Sequence, residues 1–205
     1  MTLSEQPHTI ASGELRLEAM LHEGGNNLAA LVLHPHPQYG GDMDNHVVIG
    51  ACDALAGIGA TTLRFNFRGT GASDGSFDGG RGEADDARAV FAELKTMRPH
   101  ARIVLAGYSF GAMVAAAIAA ETMPAALVLI SPPVGMAQLA TLPQGVPALL
   151  VTGERDAIAP PEAVRAYGVD GVQVRVVAGA DHGWWPGLDA LTDAIRVFLG
   201  GFRSP

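Results

Sequence analysis

A single cysteine, Cys52, is all that the sequence holds, so no disulfide can form within the chain and no cysteine-based zinc site can be assembled. A reducing, cytoplasmic setting is the expectation that follows. Long apolar runs are missing too: the most apolar stretch, 112–120, is far too short to span a bilayer. Residues 1–10 lack a basic stretch followed by an apolar run, so no signal peptide is expected and the chain reads as soluble. Basic residues are few, 13 Lys and Arg against 21 Asp and Glu, for a net charge of -8. Such a chain repels nucleic acid and anionic membrane surfaces, and neutral small molecules suit it better as partners. No repeat, linker or low-complexity tract interrupts the 205 residues, and 48% hydrophobic composition is enough for one buried core; a single domain over 1–205 is expected. Monomer and homodimer remain open.

What is present is an alternation. Apolar runs rich in Val, Leu and Ile recur at 28–33, 61–67, 103–106, 126–130, 148–151 and 172–177, and predict buried strands. Helical spacing fills the intervals at 45–58, 83–97, 110–123, 161–167 and 188–199. Parallel neighbours need a crossover connection and a helix is the usual one, so this order predicts an α/β fold with a mostly parallel central sheet and helices on both faces. Residues 14–23 alternate polar with apolar, through Leu15, Leu17, Ala19 and Leu21, as an edge strand or hairpin arm does.

The run 103–111 carries the chemistry. An apolar strand leads into Gly107-Tyr108-Ser109-Phe110-Gly111 and then into an Ala-rich helix, which is the strand–turn–helix context that a Gly-x-Ser-x-Gly nucleophile elbow requires. A turn this sharp strains the serine backbone, and side chains at 107 and 111 would collide with neighbouring backbone. It lifts the hydroxyl above the carboxyl end of the sheet, at a helix N-terminus that favours developing negative charge. A serine hydroxyl is a weak nucleophile unless a base takes its proton. The strand at 148–151 ends towards Asp156 and the strand at 172–177 towards His182, both beyond a strand's C-terminal end, where ligands bind in open α/β sheets. Ser109 as nucleophile, His182 as general base and Asp156 as the carboxylate orienting the histidine are expected. Glu154 and Asp181 compete for the carboxylate role, but Asp181 adjoins His182, and loop neighbours seldom align side chain to side chain. His8, His22 and His100 are expected in the tail, first strand and a turn, and Asp53, Asp85, Asp86 and Asp193 on solvated helix faces.

After the run 28–33 comes His34-Pro35-His36-Pro37-Gln38-Tyr39-Gly40-Gly41-Asp42, and later Phe65-Asn66-Phe67-Arg68-Gly69-Thr70-Gly71-Ala72-Ser73-Asp74-Gly75. With the elbow and the chain order Ser, Asp, His, these loops make the sequence resemble the α/β-hydrolase superfamily, and within it the small dienelactone-hydrolase-like serine hydrolases and esterases, from the first strand to the last helix. The resemblance implies the α/β-hydrolase fold, and that the Phe110 N–H serves as one oxyanion-hole donor. A second donor is expected from the early loop. Pro35 and Pro37 have no N–H, which leaves His36, with Gln38 or Tyr39 as alternatives.

His34 and His36, with Asp42 and His46 nearby, also form a candidate metal cluster, but a complete serine triad makes a metal redundant; neither metal nor cofactor is expected. Only 132–146 separates two consecutive strands, too little for a helical cap, so no cap domain is expected and the site should be a shallow open cleft. Tyr39 and Trp184 are candidates for contact with substrate, and Trp185 for packing. The reaction expected is hydrolysis of short to medium carboxylic esters through an acyl-serine. A thioesterase or other acyl hydrolase on the same residues, or a non-catalytic binding protein on the same scaffold, are the alternatives.

Overall fold

A computed structural model of the chain describes residues 4–202. Among these residues eight strands form one sheet, ordered β1-β2-β4-β3-β5-β6-β7-β8. The strands are β1 (Glu5–Ser12), β2 (Leu15–His22), β3 (Leu28–Leu33), β4 (Thr61–Phe65), β5 (Arg102–Tyr108), β6 (Ala126–Ile130), β7 (Ala148–Gly153) and β8 (Val172–Val177). β1 and β2 are a hairpin that joins β4 antiparallel; every later pairing is parallel. Four α-helices connect strands, α1 (His46–Ala56), α2 (Arg81–Met97), α3 (Phe110–Thr122) and α4 (Pro161–Arg165), and α5 (Leu188–Gly200) follows β8.

Strand residues alternate between faces, and β3 shows what that does to the core. Leu28, Ala30 and Val32 pack with α1 and α5, while Ala29, Leu31 and Leu33 pack with α2 and α3. Both faces are covered, so β3, β4, β6 and β7 are buried along their whole length; β3 and β6 read in the sequence as unbroken apolar runs, while β4 also buries Thr61, Thr62 and Arg64. In α3, Gly111, Ala112, Ala115, Ala116 and Ala119 are buried; their small side chains let the helix sit close to the sheet. No helix among the described residues is long and apolar enough to cross a membrane.

Three sequence expectations need correction. The sheet begins a strand earlier than expected, because β1 precedes the predicted edge strand and contains His8. Its sequence, EQPHTIAS, buries only Ile10 and Ser12, so it carried no apolar signal; Pro7 is tolerated on an edge. β8 is the opposite edge and only half-buried, not a core strand. Asp86 does not lie on a solvated face: it is fully buried, and shares the inward stripe of α2 with Glu83, Ala87, Val90 and Leu94. The spacing of those residues is the helical signal that placed it inside. No helix or strand forms between β6 and β7, where 131–147 is an irregular segment anchored by buried Leu139 and Val146. The fold is therefore without a lid.

Candidate active site

Ser109 lies between β5 and α3 with φ 54° and ψ -115°, a backbone state that costs on the order of 1–3 kcal/mol for a residue with a Cβ. The surroundings enforce it. A Cβ at Gly111 would sit 2.4 Å from the Leu33 carbonyl oxygen and 2.6 Å from that of His34, so the start of α3 is pressed against the end of β3. The Ser109 N–H donates to the Ile130 carbonyl at 2.8 Å, which ties the turn to β6.

The loops after β7 and β8 meet over this turn. A Cβ at Gly153 would lie 2.3 Å from the Ala180 carbonyl oxygen, so only glycine lets the two loops approach this closely. Ser109 Oγ is 3.0 Å from His182 Nε2, and His182 Nδ1 is 2.9 Å from each oxygen of Asp156. Asp156 Oδ1 also accepts the N–H groups of Ile158 and Ala159 at 2.9 and 2.8 Å. Burial works against a charged Asp156, but the hydrogen bonds from His182 and the Ala159 N–H, with that of the Ser131 hydroxyl, outweigh it and hold the carboxyl below its ordinary range. The competing carboxylates are occupied elsewhere. Glu154 accepts the Gly179 N–H, and Asp181 accepts those of Gly183 and Trp184.

The His182 loop is fastened by side chains that sequence reasoning did not single out. The Tyr108 hydroxyl donates to the His182 carbonyl at 2.6 Å, so the residue beside the nucleophile holds the histidine's own backbone. Burial pushes the Tyr108 phenol up to about 12, with the Asp156 and Asp181 carboxylates adding to the shift; it stays a protonated donor. His46, at the start of α1, donates through Nε2 to the Gly183 carbonyl at 2.8 Å. Trp184 corrects an expectation. It does not face the cleft but is fully buried in the core between the sheet and α5, where its Nε1–H donates to Ser131 Oγ at 2.9 Å. An indole this large buries most of its surface when the backbone turns it inward. Trp185 is 79% exposed and stacks on the His46 ring at 4.1 Å.

The early loop turns back over the elbow. The Gln38 N–H is taken by His36 Nδ1, and the Tyr39 N–H by the His36 carbonyl, which removes both alternative donors. The His36 and Phe110 N–H groups have no acceptor among the described residues, as the first amide of a helix has none within it; both residues line the same cleft as Ser109. The loop is clamped from below by His34, whose Nδ1–H donates to the Pro35 carbonyl at 2.7 Å while Nε2 accepts the Phe67 N–H at 3.0 Å. With both nitrogens on main-chain partners, His34 offers none to a metal. The facing loop is held by buried carboxylates: Asp86 binds the Arg68 guanidinium and N–H and the Ser12 hydroxyl, and Glu83 accepts the N–H groups of Asp78 and Gly80.

Burial holds the His34 imidazole down to about 4 against the upward pull of the Pro35 carbonyl. Since the unfolded chain takes up this proton near 6.5 and the folded chain only near 4, the unfolded state binds more protons between those values. The His34 contribution is therefore fully present above about pH 6.5 and is lost as the pH falls towards 4, by on the order of 3 kcal/mol. Urea midpoints measured between about pH 4.5 and 7.5 should fall in acid for the parent chain and fall less for His34→Gln. Equal slopes would remove His34 from this role.

Above Ser109 lies a cleft of about 750 Å³. His36, Tyr39, Phe110 and His182 line it, and no Asp, Glu, Lys or Arg is among its lining residues. A hydroxyl within hydrogen-bond reach of an imidazole that is itself held by a carboxylate, beside unpaired amides, can attack an electrophilic carbonyl.

Fold and site place this chain in a class, and sequence comparison agrees. The chain belongs to the alpha/beta hydrolase family, whose alpha/beta hydrolase domain matches residues 29–190. It is 35% identical over 191 residues to an uncharacterized protein of Rickettsia prowazekii, covering 85% of this chain and 79% of that one. Among solved structures it resembles an alpha-beta serine hydrolase homologue from Coxiella burnetii at 33% identity and TM-score 0.88, covering 97% of this chain and 99% of that chain. It also resembles an a/b serine hydrolase without lid from Xanthomonas campestris at 31% identity and TM-score 0.90, covering 100% and 99%.

Proposed function

We propose that this hydrolase cleaves carboxylic esters of neutral, largely apolar character through an acyl-serine intermediate, acting as one domain and without a cofactor. The observation that carries the reading is the unbroken chain of hydrogen bonds from Ser109 Oγ to His182 Nε2 and from His182 Nδ1 to Asp156. His182 takes the Ser109 proton as Oγ bonds to the ester carbonyl carbon. The carbonyl electrons move onto oxygen, and the N–H groups of Phe110 and His36 receive that charge. Imidazolium formed at His182 is stabilised by Asp156, and its Nε2–H then goes to the leaving alkoxide as the C–O bond breaks. Water, deprotonated by His182, attacks the acyl-serine by the same route, releasing the acid and restoring Ser109. Tyr39 stands at the mouth of the cleft, 86% exposed.

Ester is favoured over acyl-CoA thioester by the lining of the cleft: without Lys or Arg, nothing there matches the phosphates of a polyanionic carrier. A fluorophosphonate probe should label the protein with one adduct, located on Ser109 by peptide mass mapping. Labelling elsewhere, or none under conditions that label a known serine esterase, would favour the non-catalytic alternative.

A further inference from the structure

The cleft is longer than the reacting atoms need. On one side its wall is a stripe of α3, Phe110, Met113, Val114 and Ala117, spaced i, i+3, i+4, i+7 so that all four share one face of the helix. The facing wall is the irregular segment between β6 and β7, contributing Pro133, Met136, Ala137 and Ala140, with Gln138 as its one polar side chain. That segment is a fixed wall: Leu139 is buried in the core, its N–H bonds to the Tyr167 hydroxyl, and the Gly135 N–H bonds to the Ile158 carbonyl. Between the walls runs an apolar trough that begins at Ser109. From Phe110 to Ala117 the helix rises about 10 Å, the length of an extended chain of roughly eight carbons.

We infer that this trough binds an alkyl chain of about eight carbons belonging to the ester substrate, with Ala117 and Ala140 at its far end setting the length limit. The inference rests on the esterase reading and adds the substrate class to it. The features that select the chain are the mostly apolar, uncharged lining, the continuity with the Ser109 hydroxyl, and small residues at the far end where larger ones would block the trough. An alkyl chain can enter as the acid or as the alcohol, and the two arms of the test separate these.

One arm measures kcat/KM for p-nitrophenyl esters from acetate to laurate. The other measures acetate release from the acetates of ethanol through dodecanol. One series should climb by about 50-fold between two and eight carbons, on partial burial of each added methylene, and level off beyond about ten. In Ala117→Trp, and independently in Ala140→Trp, the preference for eight carbons over two should fall to near one. Both alanines are exposed, so neither substitution enters the core. Hydrolysis of the acetates with flat profiles in both arms, or a climb that survives both substitutions, would overturn the trough and leave the esterase reading standing. Loss of all turnover together with an unlabelled Ser109 would overturn both.

Discussion

Turnover of p-nitrophenyl acetate should fall by on the order of 10⁶ when Ser109 is replaced by alanine, with the fold retained. The reason is specific to this geometry. Ser109 Oγ is the hydroxyl that reaches His182 Nε2, and the Tyr108 hydroxyl beside it is committed to the His182 carbonyl. The backbone amides of Phe110 and His36 survive the substitution, so a residue of catalysis about 10³- to 10⁴-fold above water is expected to persist. Stability supplies a second readout. Alanine at φ 54° is as strained as serine, so the melting temperature should stay close to that of the parent. Glycine relieves the strain, and Ser109→Gly should melt higher while being equally inactive. An alanine variant keeping about a tenth of the parent's turnover would mean that another group attacks, and the whole mechanism would have to be abandoned.

Asp156→Asn is expected to lower kcat by about 10⁴ with little change in structure. An asparagine can keep Oδ1 where the Ile158 and Ala159 N–H groups find it, so the turn after β7 holds. The atom facing His182 Nδ1 in place of Oδ2 then becomes an N–H donor, and the imidazole must present its lone pair at Nδ1. Its proton moves to Nε2, towards Ser109 Oγ, where a base needs a lone pair instead. The loss should appear in kcat far more than in KM, because nothing in the cleft lining changes. Recovery of rate as the pH is raised, with hydroxide removing that proton, is the accompanying signature. A variant within about tenfold of the parent would show that Asp156 only supports the turn and does not set the tautomer.

How far the site could be read from residue order alone depends on how local each signal was. Ser109 was legible because strand, elbow and helix are contiguous, and the glycines that flank it are demanded by contacts within a few residues and with the neighbouring strand. Asp156 and His182 were legible because each follows an apolar run at the end of the sheet where such residues collect. In the early loop the sequence removed only the prolines, which cannot donate, and left His36, Gln38 and Tyr39 open; the structure occupies the N–H groups of Gln38 and Tyr39. Trp184 was misplaced for the opposite reason. Residues next to His182 have no periodicity to say which way they point, and the φ of 59° at Trp184 turns its side chain into the core while Trp185 is left outside. β1 escaped because its mostly polar sequence carries no apolar run; its backbone pairing with β2 across the turn at 13–14 holds it in the sheet.

Sequence by itself determined the α/β alternation, the elbow, the placement of Asp156 and His182 after successive strands beyond it and the absence of a cap, since each follows from hydrophobic period, from the stereochemistry of glycine and proline, or from the number of residues available between strands. Only the tertiary structure decided which carboxylate meets His182, which amides remain unpaired, that Asp86 is buried against Arg68 and Ser12, and that a trough runs from Ser109 along α3. Those outcomes depend on distances between segments remote in the chain, and a hydrogen bond or a void exists only once packing has brought its partners or its walls to one place.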